Sequence, residues 1–121
     1  MTETVLKPRH KARELALKGM YAWEMSDNSK TDILDFMSKE ACGDNEDIYK
    51  FATELLTKTM ELKETLDDEI AGAVKNWELH RIAAVDRFIL RLALCEFIAF
   101  EDIPPKVTIN EAIDLAKTFS T

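Results

Sequence analysis

Between Ile82 and Phe100 the chain is mostly apolar, and this stretch approaches membrane-spanning length while carrying Asp86, Arg87, Arg91 and Glu96. Charges at that density make insertion into a bilayer too costly. In a water-soluble protein, a helix that is apolar on most of its circumference must instead be surrounded by other helices. The pattern therefore predicts a helix from about Leu79 to Glu101 at the centre of a bundle. Pro104-Pro105 stops it, because proline lacks a backbone donor and pushes the residue before it out of helical geometry. Only three glycines and three prolines occur in 121 residues, few for a turn-rich sheet architecture. The expected class is all-α.

Other helices follow from apolar residues recurring at steps of three and four. Ala12, Leu15, Ala16, Met20 and Trp23 place a first helix over Arg9–Trp23, with Pro8 near its start and residues 1–8 as a flexible tail. Ser29 followed by Asp32 reads as the cap of a second helix running to about Ala41, with Ile33, Leu34, Phe36 and Met37 on its buried side. Gly43 offers a stop, and the acidic run Asp44–Asp47 suits the N-terminal end of a third helix with the stripe Ile48, Phe51, Ala52, Leu55 and Leu56. Thr65 is the expected cap of a short fourth helix presenting Leu66, Ile70 and Val74 and closing at Lys75-Asn76-Trp77. Thr108 and Glu111 have capping-box spacing for a last helix with Ile109, Ala112, Ile113, Ala116 and Phe119 on one side. The expectation is a compact bundle of about six helices in one domain, residues 1–121.

Chemistry-bearing patterns are sparse. Gly19, Gly43 and Gly72 stand alone, so no phosphate-cradling loop is present. Two histidines (His10, His80) and the isolated Cys42 and Cys95 lack metal-ligand spacing, and no nucleophile has a base and an orienting group nearby in a recognisable pattern. No cofactor, no metal and no catalytic residue is expected. The chain reads as a non-enzyme, with no membrane association, of a reducing cytoplasm.

The net charge of −7 is unevenly distributed: residues 1–18 hold Lys7, Arg9, Lys11, Arg13 and Lys18 against Glu3 and Glu14, a basic end on an acidic body. With Ala12, Ala16 and Trp23 facing inward, His10, Arg13, Glu14, Leu17, Lys18 and Tyr21 fall on the outward side of the first helix or its flanks. Lysine and arginine can neutralise phosphates, and a tyrosine ring can stack on an unpaired base, as in many grips on single-stranded RNA. Two readings stand: an RNA-binding helix, or solubilising charges with Tyr21 packed against a neighbour.

Three stretches together carry a family resemblance: Ala12-Arg13-Glu14-Leu15-Ala16-Leu17 leading to Tyr21-Ala22-Trp23-Glu24; the run Val85–Glu96; and Ile103–Lys117, with its Pro-Lys-Val-x-Ile-Asn-Glu-Ala-Ile-x-Leu-Ala-Lys pattern. In this order and spacing the chain from Arg9 onwards resembles the NusB family of bacterial transcription antitermination factors. The resemblance implies an all-α fold of two small helical halves. It implies a basic first helix that helps bind boxA-type single-stranded RNA, and a NusE-like small-subunit ribosomal protein as partner in an antitermination complex with RNA polymerase that supports ribosomal RNA transcription. By the resemblance Arg9, Lys11, Arg13, Tyr21 and Arg91 are candidate RNA-binding residues, and Asp86 the candidate protein-partner residue. Asp86 and Arg91 have a second reading as salt bridges to neighbouring helices.

Cys95 stands where relatives usually carry tyrosine, and a buried free cysteine at that position is expected to be inert. The resemblance also implies a further Lys-Phe-Val-Asn-Gly-like segment and a closing C-terminal helix, which this sequence does not contain. Their absence leads to an expected exposed apolar groove and a possible homodimer. The alternative identity is the RNA-binding domain at the front of an rRNA cytosine methyltransferase.

Overall fold

The computed structural model describes residues 2–40, 46–74 and 82–120, with side chains described from Arg9 onwards. Among the described residues there are six helices and no strand: α1 (Thr2–Met25), α2 (Lys30–Glu40), α3 (Glu46–Glu61), α4 (Lys63–Ala73), α5 (Ala84–Ala99) and α6 (Pro105–Phe119). None is long and apolar enough to cross a membrane. The chain divides into two compact units, Met1–Thr57 and Lys58–Thr121.

In the first unit α1 begins at Thr2, ahead of the expected start at Arg9, and carries Pro8 inside it. Its stripe of Ala12, Leu15, Ala16 and Met20 is buried, and Leu17, read from the sequence as outward-facing or flanking, is buried too. The helices approach closely at Gly19: a Cβ there would lie 2.6 Å from Leu56 Cδ2 of α3 and 2.9 Å from Met37 Sδ of α2. Ser29 and Asp32 cap α2 reciprocally. The Ser29 N–H donates to Asp32 Oδ2 at 3.3 Å and the Asp32 N–H to Ser29 Oγ at 3.2 Å, satisfying two otherwise orphaned donors. The α3 stripe Ile48, Phe51, Ala52, Leu55 and Leu56 is buried throughout, as its spacing requires.

The second unit departs from the sequence reading at its helix starts. α4 begins at Lys63, so Thr65 lies inside the helix and caps nothing. There α3 runs almost directly into α4, with the Leu62 N–H donating to the Lys58 carbonyl at 3.0 Å and the Leu66 N–H to the Leu62 carbonyl at 2.8 Å, and Leu62 takes the cap position without a side-chain cap bond. α5 starts at Ala84 after an extended Ala83, later than expected, and Leu79, His80, Arg81 and the Lys75-Asn76-Trp77 closure lie outside the described residues. α6 starts at Pro105 with Pro104 as its cap. Proline suits the first helical position, where an N–H would have no partner anyway. Thr108 is therefore not a cap. It is buried, and its Oγ1 donates to Glu96 Oε1 of α5 at 2.9 Å.

α5 packs on both α4 and α6 and buries Phe88, Ile89, Leu92 and Cys95. Two polar side chains tie it to these neighbours, Glu96 to α6 and Arg91 to α4. Leu90, Phe97 and Ile98 of α5 and Ile109 and Ile113 of α6 remain exposed.

Candidate nucleic-acid interface

The core of the first unit determines which cations of α1 reach solvent. At 100° per residue the buried positions cover more than half of the helix, leaving a stripe that holds His10, Lys11, Glu14, Lys18 and Tyr21. Lys11 and Lys18 are exposed, and Tyr21 keeps 47% of its surface open. The lysines are seven residues apart, about 10 Å along the axis at 1.5 Å per residue, and Tyr21 follows within one further turn. His10 Nε2 lies 3.0 Å from Glu14 Oε1, and Lys18 Nζ 3.9 Å from Glu40 Oε2 at the end of α2.

The arginines are placed differently. Arg13 is only 2% exposed, against the outward or flanking position read from the sequence. Its guanidinium carbon sits 5.3 Å from the centre of the Phe51 ring, and that of Arg9 4.6 Å from the same ring. Arg9 is itself exposed, on the flank of the helix that faces α3. A planar guanidinium can lie on an aromatic face while its aliphatic stem is buried, so an arginine is tolerated at a position that periodicity assigns to the interior. Of the candidates on α1, the structure brings Lys11 and Tyr21 together on one exposed stripe with Lys18. It sets Arg9 apart and turns Arg13 inward.

Arg91 is also internal. Its Nε and Nη2 donate to Asp67 Oδ1 at 2.7 Å and Oδ2 at 2.9 Å, a two-pronged pair joining α5 to α4. A guanidinium engaged in this way has its fork directed at a carboxylate rather than at solvent, which favours the salt-bridge reading over an RNA contact. Asp86 lies in the first turn of α5, half-buried. Leu90 and Phe97, four and eleven residues on, fall on the same side of that helix and are exposed.

Cys95 is fully buried, and burial pushes its thiol above the ordinary value of 9.0, against a smaller lowering by its hydrogen bond with Thr59. A neutral, enclosed thiol is a poor nucleophile.

Sequence reasoning gave Glu40 no part in the surface. The residue closes α2, and only the packing of α2 on α1 brings it beside Lys18.

Among the described residues the fold is that of an all-α protein. The chain belongs to the NusB family, whose sequence profile matches residues 10–121. It is 38% identical over 116 residues to the transcription antitermination protein NusB of Salinibacter ruber, covering 96% of this chain and 72% of that protein. Among solved structures it resembles NusB of T. maritima at 30% identity, with a TM-score of 0.81 over 93% of this chain and 79% of that one. It shares its fold with a crystal structure of the antitermination factors NusB and NusE in complex with double-stranded RNA, at 24% identity and a TM-score of 0.83, over 94% of this chain and 84% of that one. The family's proteins are antitermination factors, not enzymes.

Proposed function

We propose that the chain is an RNA-binding adaptor of transcription antitermination in the cytoplasm. In this reading it grips boxA-type single-stranded RNA through α1 and a NusE-like small-subunit ribosomal protein through α5, within the RNA polymerase complex that transcribes ribosomal RNA. The carrying observation is that Lys11, Lys18 and Tyr21 share one exposed stripe of a helix whose other side is core. Lysines at this spacing neutralise phosphates of a strand running along the helix, while the tyrosine ring offers a stacking face for a base. Arg9 adds charge at the flank. Arg13 and Arg91 are left out, because one is buried and the other is engaged with Asp67.

The protein-binding half of the proposal is supported by the second unit. Asp86, Leu90 and Phe97 combine a charge with exposed apolar area on one side of α5, the composition of a docking face rather than of a solvated one. A second copy of the chain could occupy the same face, which would make the homodimer a competitor of the ribosomal protein.

Titration of a labelled boxA-type RNA at several salt concentrations tests the RNA reading. Replacing Lys11 and Lys18 by alanine should lower affinity and flatten the salt dependence by about 0.7 per lysine in the slope of log K against log salt. Tyr21→Ala should cost about 1–3 kcal/mol of binding and leave that slope alone. Binding unchanged in all these variants removes α1 from the mechanism.

A further inference from the structure

Beside the lysine stripe, α1, α2 and α3 enclose a cleft of about 190 Å³ lined by Lys11, Glu14, Leu15, Lys18, Glu40 and Ile48. Its apolar seat is made by Leu15 and Ile48, both largely buried, and its rim by the four charged side chains. Two carboxylates in a cleft beside phosphate-binding lysines would repel an RNA backbone by like charge. They are compatible with RNA only where they meet hydrogen-bond donors, and RNA carries those donors on its base edges and its sugar hydroxyls.

We propose that this cleft receives one unstacked guanine of the bound strand, with Glu40 reading its Watson–Crick edge. The inference rests on the RNA-binding reading above and names the base that the surface selects. Glu14 already lies 3.0 Å from His10, whereas Glu40 is only loosely held, 3.9 Å from Lys18, with 42% of its side chain open to solvent. A carboxylate presents two acceptor oxygens side by side. Among the four RNA bases only guanine offers two adjacent N–H donors on that edge, at N1 and N2, and its neighbouring O6 is an acceptor within the reach of Lys18. The flat ring then lies against Leu15 and Ile48, and the lysines meet the flanking phosphates. At about 190 Å³ the cleft matches the size of a single heterocycle, consistent with single-stranded RNA, in which bases can be splayed out and read on this edge.

The test uses oligouridine strands carrying one central guanosine, inosine or adenosine, bound to the whole chain at fixed salt. Inosine keeps N1–H and O6 and lacks only the N2 amino group. The wild-type chain should bind the guanosine strand tightest, and loss of the paired contact should weaken binding roughly 5-fold or more. Glu40→Ala should bring the guanosine and inosine strands to equal affinity, with an unchanged melting midpoint because Glu40 is exposed. Equal binding of all three strands by the wild-type chain overturns the guanine pocket and leaves RNA binding standing. So does a Glu40→Ala variant that tightens all three alike, since the carboxylate would then merely repel phosphate. A wild-type chain that binds no RNA at all overturns both readings.

Discussion

Removing the carboxylate of Asp67 asks whether Arg91 is a structural cation or an RNA contact. The Arg91 side chain is 4% exposed and that of Asp67 20%, with two short hydrogen bonds between them. Deleting one partner of such a pair leaves a desolvated charge behind, which costs about 3–5 kcal/mol when burial is complete. The residual exposure of Asp67 lets water take the vacated place, so the lower end of that range, about 3 kcal/mol, is expected for Asp67→Ala. At roughly 4 °C per kcal/mol for a chain of this size, the melting midpoint should fall by about 12 °C. Replacing both partners, Asp67→Leu with Arg91→Met, removes the stranded charge and should recover most of the loss, since apolar side chains of similar size fill the same space. Thermal and urea unfolding of the three proteins measure this directly, and Arg91→Met should bind RNA like the wild-type chain at a temperature where it is folded. A midpoint for Asp67→Ala within a degree of wild type would refute the reasoning, as would a double variant less stable than the single one.

Gly19→Ala gains about 1 kcal/mol of helix propensity but forces a methyl against Leu56 and Met37, an overpacking cost of about 1–3 kcal/mol. The net expectation is a midpoint lowered by a few degrees, and a raised midpoint would show that α1, α2 and α3 have room to spare at this crossing. Asp86→Lys should weaken capture of a NusE-like ribosomal protein several-fold while leaving thermal stability nearly unchanged; unfolding in proportion to lost binding would make Asp86 an internal salt-bridge residue instead. With Cys42 replaced by serine, the remaining Cys95 should react with thiol reagents only as fast as the chain opens. Because its folded pKa lies above the ordinary 9.0, the stability it contributes is complete below pH 9 and declines as pH rises from there towards the folded value. Fast labelling of the native protein at neutral pH would contradict the burial of Cys95.

The sequence by itself determined the class of fold, the buried stripes of α1 and α3, the Ser29–Asp32 cap and the concentration of positive charge on the first helix. These are properties of neighbours three and four residues apart, and helical geometry relates such neighbours without reference to the rest of the chain. Tertiary structure decided the rest. The inner face of α6 was not legible, since Ile109 and Ile113 of the expected apolar side are exposed while Thr108, Glu111 and Leu115 are buried. Arg13 and Lys11 look alike in the sequence, yet one rests buried over Phe51 and the other stands in solvent. Thr108, a cap by its spacing to Glu111, donates to Glu96 twelve residues earlier, and Arg91 pairs with Asp67 across twenty-four. Glu40 gains its place beside Lys18 only when α2 packs on α1. A long polar side chain takes its partner from whichever helix lies against it, and that helix is brought there by the burial of apolar stripes elsewhere. Local periodicity therefore carries the elements and, in α1 and α3, their inner faces, while the destination of each charge depends on how the finished helices meet.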